Sequence, residues 1–183
     1  GDDKFDFELP MAGKHNVLNM MLAIDIAKNL NVSLKDMNEG LSNLKATSMR
    51  LETEKTNKIT IINDCYNASP DSMKSSIEVL MTKAASRRVA ILGDMYELGS
   101  KTEEAHEEVG SFAKGKIDLL IVIGENVNNY ENGFGSEHIR KFASKDDFFE
   151  EVDNLINKDD VILVKASRGM RFEEVISKLK ELK

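Results

Sequence analysis

Three segments of this chain place chemically useful side chains directly after an apolar run. Ile59-Thr-Ile-Ile62 gives way to Asn63-Asp-Cys-Tyr-Asn67 and then to Ser69-Pro-Asp71. Asp64 and Asn67 supply acceptors and an amide for a polar ligand, at the point where a buried strand would leave its sheet. Val89-Ala-Ile-Leu92 runs into Gly93-Asp-Met-Tyr-Glu-Leu-Gly99, whose terminal glycines permit close backbone approach. Asp94 and Glu97 in that loop offer carboxylates to an ammonium group. Val161-Ile-Leu-Val164 runs into Lys165-Ala-Ser-Arg-Gly169, where Lys165, Ser167 and Arg168 beside a helix start make a natural anion receptor. Each segment also has a plainer reading. Ser69 and Pro70 are a helix cap and a first helical position, the glycine-bounded loop is a tight turn with solvated acids, and the Lys165 segment is a capped turn.

The elements that must hold these segments follow from hydrophobic period. Four short apolar runs, at 59–62, 89–92, 119–123 and 161–164, are each followed by a stretch with helical spacing, at 70–84, 102–114, 146–156 and on to about 179. Between 124 and 145 the asparagines at 128, 129 and 132 with Gly133 and Gly135 read as irregular chain before the third of those helices. The alternation predicts an α/β fold: a Rossmann-like, mostly parallel sheet with helices on both faces. Right-handed crossovers then bring the strand-end loops to one edge. Upstream, Phe5–Leu9 reads as a short strand, Asn16–Leu30 as an amphipathic helix, and the stretch after Ser33 as a second helix capped by that serine. Residues 1–46 are too few to enclose a core of their own and read as the end of something larger.

Composition narrows the function classes. A formal net charge of −7 argues against a nucleic-acid or anionic-membrane partner. One cysteine, Cys65, allows no internal disulfide, and no apolar run approaches the length of a membrane span, so a cytoplasmic setting is expected. No His, Cys, Asp or Glu cluster has metal-ligand spacing, so no metal site is expected in this chain.

Four motifs occur together in the order seen in one family. Gly13-Lys-His-Asn-Val17, Asn63-Asp-Cys-Tyr-Asn-Ala-Ser-Pro-Asp-Ser72, Leu92-Gly-Asp-Met-Tyr-Glu-Leu-Gly99 with His106, and Lys165-Ala-Ser-Arg168 resemble the Mur ligases. Gly-Asp-Met-x-Glu-Leu-Gly points to the branch that adds D-alanyl-D-alanine to a UDP-N-acetylmuramoyl tripeptide in peptidoglycan synthesis. The phosphate-binding loop of that family is absent, since Lys114-Gly-Lys116 lacks the preceding glycine and the following hydroxyl residue.

The resemblance implies that residues 1–46 end a central ATPase domain and that 47–183 form the C-terminal domain. It implies ATP and Mg2+ as cofactors, both held mainly by N-terminal and central domains outside this sequence. Asn16 matches a residue that touches adenine, and His15 beside it is a weaker candidate. Arg50 matches an arginine that reaches the phosphate and ribose region, Asp64 one that accepts from ribose hydroxyls, and Asn67 a wall of the nucleotide cleft. Asp94, Glu97, Lys165, Ser167 and Arg168 take the places expected around the dipeptide. His106 is expected to brace the 93–99 loop. Two readings of a different kind stay open: a free-standing α/β binding module without catalysis, and a folate polyglutamate type of amide ligase, which lacks the Gly-Asp-Met-x-Glu-Leu-Gly motif.

Overall fold

The protein is described by a computed structural model that covers residue 9, residues 13–44 and residues 49–182. The expected strand at Phe5–Leu9 therefore lies almost wholly outside the described residues, as does any side-chain role for His15. The chain divides into two compact units, Gly1–Thr47 and Ser48–Lys183.

In the first unit, α1 spans Lys14–Asn29 and α2 spans Leu34–Ser42. Ser33 caps α2 as expected, its hydroxyl accepting the Asp36 backbone N–H at 3.2 Å. Met37 and Leu41 are the buried apolar residues of α2, while α1 leaves Leu18, Leu22, Ile26 and Leu30 exposed along one i, i+4 stripe.

The second unit is a six-stranded sheet with helices on both sides. In chain order it comprises β1 (Glu52–Lys55), β2 (Thr60–Asn63), α3 (Pro70–Met81), β3 (Arg87–Gly93), α4 (Thr102–Ala113), β4 (Leu119–Ile123), α5 (Val127–Phe134), β5 (Ile139–Phe142), α6 (Lys145–Leu155), β6 (Asp160–Lys165) and α7 (Glu173–Lys180). The strand order is β1-β2-β6-β3-β4-β5. Every pairing is parallel except β1 with β2, which is antiparallel. Alternate strand residues feed two cores, as a doubly covered sheet requires. Ile61, Val89, Ile91, Ile121 and Ile162 pack beneath α6 and α7, while Ile62, Ala90, Leu92, Leu120 and Leu163 pack beneath α3, α4 and α5.

Three elements differ from the sequence expectation. β1 (Glu-Thr-Glu-Lys) carries no apolar residue and is a strand only because its backbone pairs with β2; its charged side chains suit an exposed edge. β5 buries only its ends, Ile139 and Phe142, and so lacks an apolar run. The asparagine-rich stretch is a helix, α5, because it buries Tyr130 and Phe134 and because Gly133 lets its backbone meet α4. Tertiary burial outweighs poor helix propensity there. No helix among the described residues is long and apolar enough to cross a membrane.

Candidate functional site

The topology itself makes a crevice. From the carboxyl ends of β2 and β3 the chain passes to helices on one face, whereas from β6, which lies between them, it passes to α7 on the other. Loops that diverge in this way open a gap at a switch point, where α/β sheets receive ligands. A cleft of about 520 Å³ occupies it, lined by Tyr66 to Ser69 from the β2 loop, Tyr96 to Leu98 from the β3 loop and Ser167 to Gly169 from the β6 loop. A smaller hollow of about 390 Å³ opens at the opposite edge beside Lys58 and Asp159, and none of the candidate residues lines it.

The first wall is built on α3. Ser69 and Ser72 form a reciprocal capping box with Pro70 at the start of the helix, as the plainer reading expected. Asn67 and Tyr66 are exposed on the cleft side. The Arg50 guanidinium lies 4.2 Å from the Tyr66 ring centroid, stacked on an aromatic face in a manner that suits arginine.

Asp64 and Lys165, expected beside a ligand, are paired with each other in this structure. Both are nearly buried, at 7% and 3% exposure. Lys165 Nζ donates to Asp64 Oδ2 at 2.5 Å and to the Asn67 carbonyl at 2.9 Å. Asp64 Oδ2 also accepts from the Ser76 hydroxyl at 2.6 Å, and Oδ1 accepts from the Leu51 N–H at 3.1 Å. Burial makes unpaired charge costly, and these partners satisfy the carboxylate. Cys65 beside it is inert: burial first, then the negative charge of Asp64, pushes its thiol up to about 12, so no thiolate forms near neutral pH.

Asp94 likewise has its partners within the protein. At 3% exposure it turns away from the cleft, its oxygens accepting from Glu125 N–H at 2.9 Å, Asn126 N–H at 3.0 Å and Asn126 Nδ2 at 3.2 Å. It ties the β3 loop to the start of α5. Three consecutive amides of this loop then donate to side chains from elsewhere: Asp94 N–H to Met170 Sδ, Met95 N–H to His106 Nε2 at 2.9 Å, and Tyr96 N–H to Ser167 Oγ at 2.8 Å. So anchored, the loop projects Tyr96 and Glu97 into the cleft, with Glu97 in the left-handed region at φ 64°. Ser167 lines the cleft while serving as an anchor, and Arg168 is exposed there with one nitrogen 3.3 Å from Glu173.

His106 braces this loop, as expected. Its Nε2 accepts from Met95, so the proton sits on Nδ1 and is donated to the Thr102 carbonyl at 2.6 Å. The ring meets Tyr130 edge-on at 5.0 Å, and the Tyr130 hydroxyl donates to the Gly93 carbonyl at 2.8 Å. Burial lowers the imidazole pKa below 6.5, opposed by the Thr102 carbonyl and the Asp94 charge. Because the folded value is depressed, the unfolded chain takes up the proton first, so stability present above about pH 6.5 is lost as pH falls through that value and below. Urea unfolding at pH 7.5 and 5.5 should show a larger loss for the wild type than for His106→Gln; equal losses would reject this role.

The cleft thus gathers Asn67, Glu97, Ser167 and Arg168, with Arg50 stacked on Tyr66 from the adjoining turn. Asn16 lies in the first turn of α1, within the other compact unit. Sequence reasoning passed over Ser76, which has no local mark, and Tyr96, whose only signal was an aromatic residue inside a glycine-bounded acidic loop.

Residues 49–168 match the family model described as the Mur ligase, glutamate ligase domain. The chain belongs to the Mur ligases. Among curated relatives, it is 39% identical over 182 residues to the UDP-N-acetylmuramoyl-tripeptide–D-alanyl-D-alanine ligase of Bacillus subtilis, covering 96% of this chain and 40% of that one. The enzyme of the same name from Escherichia coli is 34% identical over 181 residues, with 96% and 39% covered. Among solved structures, MurF from Acinetobacter baumannii superposes with a TM-score of 0.87 at 29% identity, covering 96% of this chain and 39% of that one. MurF from Thermotoga maritima, solved in complex with ADP, gives 0.79 at 27% identity, with 97% and 40% covered. This Mur ligase chain spans about 40% of the length of the curated relatives it matches.

Proposed function

We propose that this chain is the part of a MurF-type ligase that closes over the nucleotide and presents D-alanyl-D-alanine. In that reaction the γ-phosphoryl group of ATP passes to the carboxylate of a UDP-N-acetylmuramoyl tripeptide, giving an acyl phosphate and ADP. The dipeptide amine then attacks the acyl carbon, forming the amide and releasing phosphate. Residues 1–46 are the end of the central ATPase domain in this reading, 47–183 are the C-terminal domain, and the reaction is cytoplasmic.

The observation that carries the reading is the cleft at the end of β6. It is small, it has the Glu97 carboxylate on one loop and the Arg168 guanidinium on the next, and such opposite charges suit the two ends of a short zwitterion. Arg50, stacked on Tyr66, is the nucleotide-facing cation, with Asn67 beside it on the cleft wall. Nucleotide use is supported by the ADP complex of the Thermotoga maritima relative. Among the described residues no group of three His, Cys, Asp or Glu could hold a metal ion, and Mg2+ is assigned no ligand among them. What these residues contribute is positioning and exclusion of water rather than bond making.

The test is an NMR titration of the isotope-labelled chain. D-alanyl-D-alanine should shift resonances of residues 96–98 and 167–169, ADP should shift Arg50 and Tyr66, and L-alanyl-L-alanine should do neither at the same concentration. An equal response to both dipeptides would favour an unspecialised α/β binding module, a reading helped by the cleft lying wholly within one compact unit.

A further inference from the structure

Four segments meet at the Asp64 carboxylate. The Leu51 amide comes from the turn before β1, Ser76 from α3, Lys165 from the end of β6, and through Lys165 the Asn67 carbonyl from the β2 loop. The Leu51 amide is the handle on a turn that works against its own backbone preference. Met49 and Leu51 have φ of 62° and 52°, a region disfavoured for residues bearing these side chains. Arg50 lies between them, over the Tyr66 ring, and the Met49 carbonyl accepts the Tyr66 N–H at 3.1 Å. Such strain persists only where the surroundings over-determine it. Here Leu51 N–H donates to Asp64 and Tyr66 N–H to the Met49 carbonyl, while Met49 N–H donates to Glu52 Oε2 at 3.3 Å and Arg168 reaches Met49 Sδ at 3.4 Å; of these, the Asp64 bond is the one made to a nearly buried charge.

We propose that Asp64 and Lys165 form a charge-neutral positioning pair for Arg50. The pair locks the Met49–Leu51 turn so that the guanidinium is presented, face against Tyr66, to an anionic ligand of the phosphate class. Only the identity of the anion rests on the ligase reading. Lys165 has a definite part in this. Without it Asp64 would be a nearly buried, uncompensated charge, which would turn toward water and away from the Leu51 amide. Lys165 also stands two residues before Ser167, so the Arg50 turn and the anion-facing loop share one anchor.

The test reads Arg50 itself. In the wild-type chain the Arg50 side-chain protons should be shifted upfield by the Tyr66 ring current, and the Leu51 amide should be protected from hydrogen exchange. Asp64→Asn and Lys165→Met should each abolish the upfield shift and speed Leu51 exchange by about ten-fold or more. Arg87→Met is the control for a structural ion pair: it breaks Arg87 to Asp160, bonded at 2.9 and 2.6 Å at the other end of the sheet, and should lower Tm while leaving the Arg50 signature intact. Should Asp64→Asn fail to fold, Ser76→Ala removes the hydroxyl bond to Asp64 Oδ2, the oxygen that Lys165 also holds, and by loosening the carboxylate should give an intermediate rise in exchange. Folded Asp64 or Lys165 variants that keep both the ring-current shift and the protection would overturn the proposal. So would an unchanged Ser76→Ala variant, or loss of both signals in Arg87→Met. A wild-type chain that shows the signature yet ignores ADP would support the pair and count against the nucleotide reading alone.

Discussion

Asp94→Ala should destabilise the Ser48–Lys183 unit by about 3–5 kcal/mol, a large part of the stability of an ordinary domain. The Asp94 side chain is 3% exposed, and its removal takes the acceptor from the Glu125 and Asn126 backbone N–H groups and leaves a void beneath the start of α5. Each buried donor left without a partner costs about 1–3 kcal/mol, to which the lost charge-assisted component adds. Asp94→Asn keeps one acceptor oxygen but turns an amide toward a donor, so roughly half the effect is expected. Denaturant unfolding monitored by circular dichroism measures both, and a loss within about 1 kcal/mol of zero for the alanine variant would show that the carboxylate is not holding the start of α5. Gly124 makes the same point from the other side. Its φ is 136°, and a Cβ there would lie 2.4 Å from Asp94 Oδ2, so the carboxylate fills the space that a side chain would need.

Gly133→Val should produce a loss of similar size, about 3 kcal/mol or more, for a purely steric reason. A Cβ at Gly133 would sit 2.0 Å from the Glu107 carbonyl oxygen, and one at Gly110 would sit 2.3 Å from the Tyr130 carbonyl oxygen. These neighbours are backbone and cannot rotate aside, so α4 and α5 would have to part, loosening Tyr130 and Phe134 in the core. Because Tyr130 also supports Gly93 and His106, the loosening should reach the cleft loop. Broadened resonances at 94–98, together with a lower unfolding midpoint, are the expected signature. A variant with unchanged midpoint and sharp loop signals would refute the close-contact account.

These two residues also mark where the sequence was readable. The four central strands were legible because burial on both faces demands continuous apolar runs, and 119–123 was bounded to the residue. β1 and β5 were not, because an edge strand draws its order from a neighbour's backbone and needs few apolar side chains of its own. α5 was hidden for a related reason: Asn128, Asn129 and Gly133 disfavour a helix locally, and the compensation comes from α4, distant in the chain. The edge of the sheet that carries the cleft could be placed from strand-helix alternation alone. Which polar residues face it could not. Asp64, Asp94 and Lys165 belong to the same motifs as Asn67, Glu97 and Arg168, yet the first three face inward and the last three outward. That division depends on loop conformation and on partners such as Ser76 and Asn126, which no local pattern reveals.

The three successive amides given to Met170, His106 and Ser167 have a consequence for anyone wishing to retool this protein. Residues 94–96 owe their path to acceptors supplied from outside, so the main chain there does not depend on the exposed side chain at 96, whereas 97 adopts a left-handed φ of 64° and Leu98 packs against the core. A library randomised at codon 96 would therefore sample new recognition surfaces on an unaltered frame.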